Sequence, residues 1–484
     1  MAGNCILGID VGTTTVKAGV LDENGVMIDL FAETYPTTRK DGNRVEQDPN
    51  DWMIRVTHAI NRFAEYDIRA IGLCSQVNTH VFVDGKGAPL APAILWQDGR
   101  AASEAAEIDA GLTEAQKIAW WVAPMPIDAS HAIARMAWMA RHQPLIWQKT
   151  CWVMLPKDYC LFELTGRAST DPLSNIGLVG QDLRYIEEVQ RLVPGGADRL
   201  APLVGPIEVA GHVSGGPLKG VPVVSGTMDA WAGLVGTGGA RDRATVYLSG
   251  TSEILGISSQ NVVPTPGAIV FPACEGVRLH AAPTQNGGDA KMWFTQLAGL
   301  SPSAMAAMVR KTPRSAATPL FLPQLEGERA PLWDVDLRAA FLGITRQTRM
   351  PDFARAVYEG VAFAARQALD LLLISSTVTS DEIFCAGGGF RSAPWAQIRA
   401  DVMGVPLRPL LAGEPGILGA ATLASLGIDG HRSIADANEA LAVYGPTVYP
   451  DPAQHKIYNE LFEIYTDAIA AHADIGKRLS SLHA

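Results

Sequence analysis

The strongest constraint on the fold is a pattern that occurs twice. Residues 6–25 read ILGIDVGTTTVKAGVLDENG and residues 245–257 read TVYLSGTSEILGI. In each, two apolar runs flank a polar Gly-Thr turn, the sequence form of a β-hairpin. Gly250-Thr251 stands 238 positions after Gly12-Thr13, close to half of the 484-residue chain. Two such hairpins in register with the two halves predict duplicated lobes, each giving one turn to a shared site. Gly-Thr is a common pair, so chance likeness of two short hairpins competes with duplication. The boundary is expected near Gly238-Gly239-Ala240, a small-residue stretch suited to a connection that flexes, which gives domains 1–240 and 241–484. Strand-like and helix-like segments alternate throughout, which places the chain in the α/β class.

The first hairpin also carries chemistry. Asp10 is a carboxylate at a strand end, beside Gly12, the hydroxyls of Thr13, Thr14 and Thr15, and the ammonium of Lys17. Small donors, one acid and one cation around a tight turn suit a phosphate and its metal ion. The same stretch suits a plain hairpin whose Asp and Thr side chains satisfy turn backbone.

Composition narrows the function classes. A hydrophobic content of 48% with no long charge run describes a globular chain. The formal net charge of −11 disfavours nucleic acid, which is met by basic surfaces, but leaves nucleotides open. No apolar run reaches membrane-spanning length, and AGNCILGID after Met1 has neither the basic nor the apolar region of a signal peptide. Cys5, Cys74, Cys151, Cys160, Cys274 and Cys385 are scattered without a CxxC pair. A reducing, cytoplasmic setting without structural zinc is the expectation.

Several elements are legible from local signals. Asp48 with Pro49 starts a helix whose Trp52, Val56, Ile60 and Phe63 face the core. Residues 68–73 and 93–96 form buried strands, and residues 348–373 a long helix opened by Pro351. A strand over 383–386 runs into Gly387-Gly388-Gly389, after which Ser392 caps a helix reaching Met403. Residues 221–224 form a strand, Ser225-Gly226-Thr227 a turn, and Asp229 opens a small-residue helix. There it is either a first-turn acid or the base that a phosphoryl transfer to an alcohol requires. Gly85-Lys86 and Gly476-Lys477 do not fit a Walker A loop, the protein-kinase motifs are absent, and no GxGxxG follows the first strand.

Eight segments, in order, resemble the FGGY carbohydrate kinases, relatives of hexokinase, actin and the large heat-shock chaperones. They are GIDVGTTTVKA, AILWQDGR, MLPKDYCLFELTG, GTMDAWAGLVGTG, LSGTS, GERAPLWD, AGGGFRSAPWAQIRADVMGVPL and GILGAA, spread over residues 6–426. The resemblance implies a two-lobed ribonuclease-H-like fold and ATP-dependent transfer of a phosphoryl group to a small sugar. It implies that Asp10 holds Mg²⁺ through water, and that Gly12, Thr13, Thr14 and Lys17 face the β- and γ-phosphates. Gly250 and Thr251 would meet the phosphates from the second lobe, Gly387, Gly388 and Gly389 would line the adenosine, and Asp229 would be the general base. It leaves a homodimer open.

The sugar-facing loop departs from parts of the family. Glycerol kinases place Arg-Glu where Val77-Asn78 stands, so glycerol is disfavoured. Xylulokinases place Met-His there, closer to an apolar residue followed by a hydrogen-bonding one. Gln76, Asn78, Trp96 and Asp98 are the expected sugar contacts, with Asp98 and Arg100 alternatively pairing with each other. A ketopentose is the expected acceptor. The alternatives are another polyol or a sugar acid, or a nucleotide switch that phosphorylates no sugar.

Overall fold

A computed structural model describes residues 4–40, 43–411, 414–429, 433, 434, 437 and 443–482. Residues 1–3 of the signal-peptide expectation lie outside the described residues. The chain forms two compact units. Unit 1 comprises Met1–Arg241, Phe271–Arg278 and Gly413–Ala442, and unit 2 comprises Asp242–Val270, Leu279–Ala412 and Val443–Ala484. A single cut at residue 240 therefore misses two later segments that return to unit 1.

Unit 1 is built on a six-stranded sheet. Its strands are β1 (Cys5–Val11), β2 (Thr15–Leu21), β3 (Met27–Thr34), β4 (Ile68–Ser75), β5 (Val209–His212) and β6 (Pro222–Met228), in the order β5-β6-β4-β1-β2-β3. β1 and β2 form the expected antiparallel hairpin, with Asp10 opposite Lys17. β4 runs parallel to β1, and β6 parallel to β4. Helix α1 (Pro49–Arg62) starts as its sequence predicts, the Asp48 side chain accepting from Asn50 N while Trp52, Val56, Ile60 and Phe63 enter the core.

Unit 2 repeats the plan. Strands β7 (Thr245–Ser249), β8 (Glu253–Ser258), β9 (Ile269–Val270), β10 (Leu279–Pro283), β11 (Ile383–Ala386) and β12 (Leu407–Pro409) lie in the order β9-β10-β8-β7-β11-β12. The β7/β8 hairpin is antiparallel, and β11 runs parallel to β7 as β4 does to β1. This duplicated α/β plan is the ribonuclease-H-like, actin/hexokinase-type ATPase fold. No described helix is long and apolar enough to cross a membrane.

Three local expectations are not met. Ser225, Gly226 and Thr227 are not a turn but lie within β6, across a register shift between Val224 and Thr227. Gly226 sits there at φ 64°, where a Cβ would lie 1.7 Å from Leu73 O. The strand expected over 93–96 is Ala93–Ile94; Leu95 N still donates to Val45 O (3.1 Å), but Trp96 N turns to the Thr79 hydroxyl (3.2 Å). Ser392 occupies the N-cap position of the helix Ala393–Met403, but its side chain makes no capping bond.

Candidate active site

In unit 1, Asp10, Gln76 and Asp229 lie at the C-terminal ends of three adjacent parallel strands, β1, β4 and β6. Asp10 lies opposite Cys74 in the β1/β4 register, and Met228 opposite Ser75 in the β4/β6 register. Asp10, Gln76 and Asp229 are therefore neighbours across the sheet edge where open α/β sheets hold ligands. Gln76 is anchored to β1 by its own N–H, which donates to Val11 O at 3.0 Å. Asp229 opens helix α2 (Asp229–Gly236) and is half-buried, its Oδ1 accepting from Ala230 N at 2.8 Å.

Asp10 is held under electrostatic tension. Its Oδ1 is buried without a hydrogen-bond partner, and burial pushes the carboxyl up to about 6 against the opposing pull of Lys17. A Cβ at Gly416, in the first turn of the 15-residue helix α3 (Pro415–Asp429), would lie 2.7 Å from Asp10 Oδ2. The positive end of that helix dipole thus abuts the carboxylate and favours anions nearby. Lys17 is engaged as well: its Nζ pairs with Glu414 Oε2 at 2.7 Å, with 34% and 21% of the two side chains exposed. Such a pair is weak enough to exchange for a phosphate.

The sugar-loop candidates divide. Asn78 adopts φ 53° and donates from Nδ2 to Ser130 Oγ at 3.1 Å, while buried Arg135 fixes the loop by donating to the carbonyls of Asn78, Ile94, Leu95 and Ala129. Trp96 donates from Nε1 to Thr13 Oγ1 at 3.1 Å. Asp98 does not qualify as a sugar contact. It is 1% exposed, and its carboxylate is filled by Arg100 Nη2 (2.6 Å), Arg100 Nε (2.8 Å) and Val45 N (2.6 Å). Of the two alternatives for Asp98 and Arg100, mutual pairing is the one present.

Beneath β6 lies a network whose role local pattern does not reveal. Lys157 is fully buried, with Nζ 2.6 Å from Asp158 Oδ1 and 2.8 Å from Asp171 Oδ2. Asp171 in turn accepts from Thr227 Oγ1 at 2.9 Å, two residues before Asp229. Burial alone would depress the Lys157 ammonium, but the two carboxylates more than reverse this and raise it. The signature MLPKDY marks the segment, although nothing in it announces the partner at 171.

Unit 2 presents its own turn. Gly250 and Thr251 are exposed between β7 and β8, with Gly250 N donating to Ser252 O at 3.0 Å. Below the turn, Arg399 Nη2 reaches Glu253 Oε1 (2.8 Å) and Ser249 Oγ (2.9 Å), and its guanidinium carbon lies 3.9 Å from the centre of the Trp395 ring. Burial pushes Glu253 up to about 7 despite the Arg399 cation. The three glycines after β11 differ in purpose. A Cβ at Gly387 (φ 100°) would lie 2.2 Å from Ser249 O, and one at Gly389 2.0 Å from Ser249 Oγ, so protein packing alone demands glycine at both. At Gly388 a Cβ would meet nothing within 4 Å.

This gives a first prediction. Gly387→Ala is expected to lower stability by about 1–3 kcal/mol, read by denaturant unfolding. Gly388→Val is expected to leave stability nearly unchanged while weakening ATP binding in a titration. Equal ATP affinity in the Gly388→Val protein would remove Gly388 from the nucleotide site.

The comparisons with known proteins agree in direction. The description "FGGY family of carbohydrate kinases, N-terminal domain" matches residues 5–236, and that family's C-terminal domain matches residues 246–428. The xylulose kinase of Escherichia coli K12 is 29% identical over 445 residues, covering 88% of this chain and 91% of its own. Among solved structures, the ligand-bound xylulose kinase of Lactobacillus acidophilus superposes with TM-score 0.89 at 24% identity, covering 98% of this chain and 100% of that one. A gluconate kinase from the same organism also superposes at 0.89 and 24% identity, covering 98% and 99%. Likeness of fold therefore does not select the sugar.

Proposed function

The chain belongs to the FGGY family of carbohydrate kinases, and from that premise we propose that it transfers the γ-phosphoryl group of ATP to a hydroxyl of an uncharged ketopentose such as xylulose. It is a phosphotransferase with an alcohol acceptor, and a sugar and ATP are its substrates. The observation that carries the phosphoryl transfer is the placement of Asp10 and Asp229 at the ends of neighbouring parallel strands of one sheet.

Each residue then has a task. Asp229 accepts the proton of the attacking hydroxyl, the sugar oxygen bonds to the γ-phosphorus, and the bond to the β,γ-bridging oxygen breaks to release ADP. The backbone of Gly12 and the hydroxyls of Thr13 and Thr14 face the β- and γ-phosphates, with Lys17 exchanging Glu414 for them. In unit 2, Gly250, Thr251 and Gly388 bind the nucleotide. Asn78 and Trp96 face the sugar, while Gln76, 1% exposed and with both ends of its amide engaged by Gln47 and Thr79, stands behind them.

Mg²⁺ fits the residues present. Among the described residues no cluster of three or more His, Cys, Asp or Glu is suited to a metal ion. The buried, unpartnered Oδ1 of Asp10 is the kind of single carboxylate contact by which Mg²⁺ is held together with substrate phosphates. Mg²⁺ held there by Asp10 would neutralise phosphate charge during transfer. The raised Asp10 carboxyl carries a sign that can be checked. Its folded value lies above the unfolded one, so its contribution to stability is present at low pH and is lost as pH rises through about 6. Affinity for Mg²⁺-ATP should move the opposite way, rising over the same window because only the carboxylate binds metal. Nucleotide affinity flat from pH 5 to pH 8 would contradict the assignment of Asp10.

The sugar preference follows from what the loop lacks. A small apolar Val77 and the neutral amide of Asn78 offer no cation for the carboxylate of a sugar acid, whereas an amide both donates to and accepts from hydroxyls. Asn78→Ala should lower kcat/KM for the sugar about tenfold, the loss of a hydrogen bond worth about 1–3 kcal/mol, with the KM for ATP nearly unchanged. Because Asn78 sits at φ 53°, Asn78→Gly is the control that removes the amide without backbone strain. A screen of ketoses, alditols and sugar acids tests the acceptor class directly. A sugar acid as best substrate would overturn it.

A further inference from the structure

Gln47 and Thr79 are almost wholly buried polar residues, 2% and 0% exposed, that link the phosphate-facing turn to the sugar-facing wall. The polarity of the link is fixed by its ends. Trp52 Nε1 only donates and reaches Gln47 Oε1 at 3.1 Å, while Thr13 O only accepts and takes Gln47 Nε2 at 2.7 Å. With its amide so oriented, Gln47 can receive Gln76 only through Nε2, at 3.2 Å. Gln76 Oε1 is left to accept from the Thr79 hydroxyl at 3.2 Å. That hydroxyl has then used its proton, and it accepts from Trp96 N at 3.2 Å. Trp96 closes the ring with its second donor, Nε1 to Thr13 Oγ1 at 3.1 Å. Five residues from four separate segments thus form one closed circuit.

The circuit has a direction at its outlet. Thr13 Oγ1 accepts from the indole, so its own proton remains to donate outward. Both arms of the ring start on Trp96 and converge on Thr13, one from its backbone N–H through Thr79, Gln76 and Gln47 to Thr13 O, the other from Nε1 to Thr13 Oγ1.

We propose that Gln47 and Thr79 are positioning residues whose ring ties the orientation of Trp96 to that of Thr13, so that a sugar settling on the indole presents the Thr13 hydroxyl to the nucleotide phosphates. This rests on the assignment above of Trp96 to the sugar and Thr13 to the phosphates. Neither Gln47 nor Thr79 touches a reacting atom. The consequence is linkage: sugar tightens nucleotide binding, and by reciprocity nucleotide tightens sugar binding.

The test measures binding of AMP-PNP with Mg²⁺ to the full chain, with and without saturating D-xylulose. Wild type is expected to gain about fivefold or more in AMP-PNP affinity from the sugar, the lower end of typical coupling. Thr79→Val removes the hydroxyl while keeping the shape. It should abolish most of that gain and weaken AMP-PNP binding even without sugar, whereas Thr79→Ser should restore both. Gln47→Glu, which cannot donate to Thr13 O, should behave like Thr79→Val. Folding is checked by matching melting temperatures, and Gln47→Glu supplies the readout if Val unfolds the loop. A Thr79→Val protein with wild-type AMP-PNP affinity and wild-type sugar enhancement would overturn the proposal. Failure of wild type to bind D-xylulose would instead count against the acceptor assignment, leaving the ring to be judged on the nucleotide arm.

Discussion

Asp229→Asn is expected to lower kcat for sugar phosphorylation by about 10²–10⁴-fold, the usual worth of a positioned general base, with ATP affinity nearly intact. The amide keeps the size of the carboxylate and still accepts from Ala230 N, now at 2.8 Å, so the start of helix α2 should survive. What is lost is the ability to take the hydroxyl proton as the oxygen attacks. The loss should fall on kcat and kcat/KM together, because the proton moves only in the transition state. Retention of more than about a tenth of kcat would remove Asp229 from the role of base.

The second large effect is on stability. Lys157→Met should destabilise the protein by about 3–5 kcal/mol, because it leaves Asp158 and Asp171 as buried carboxylates without a counter-ion. Both lie within 2.8 Å of Lys157 Nζ. Adding Asp171→Asn should recover part of the loss, since one of the two stranded charges is then gone. The measurement is a double-mutant cycle by denaturant unfolding. Strict additivity of the two substitutions would show that the triad is not coupled. Because Asp171 also holds Thr227 at the end of β6, Lys157→Met should reduce kcat even where the protein remains folded.

What was legible in the sequence follows the reach of each interaction. The two Gly-Thr hairpins, the Asp48 cap and the helix face of Trp52, Val56, Ile60 and Phe63 are set by residues within a few positions of one another, and all form as read. Features decided across the sheet were not legible. Gly226 reads as a turn glycine, but its neighbour is Leu73, and the strand continues through it. Gly387 and Gly389 read as making room for adenosine, but both are pressed against Ser249 of β7, leaving only Gly388 open. Lys17 reads as a cation awaiting phosphate, and its partner Glu414 lies 397 positions away.

The site shows the same division. Asp10 and Asp229 stand at strand and helix ends that periodicity and turn chemistry locate. Gln47, Thr79, Arg135 and Asp171 act through partners brought in by tertiary folding, and no local signal distinguishes them from ordinary core polar residues. Asp98 illustrates the converse: its place beside Arg100 allowed both a sugar contact and an internal pair, and only its burial and the Val45 N–H decide between them.

The most direct test is ADP release from Mg²⁺-ATP by the full chain, with and without D-xylulose and other ketopentoses, with the sugar product checked for one added phosphoryl group by mass. ADP release is expected to depend on the sugar, to match phosphosugar mole for mole, and to disappear with Asp229→Asn. ADP release that ignores every sugar and yields no phosphorylated product would contradict the proposed transfer.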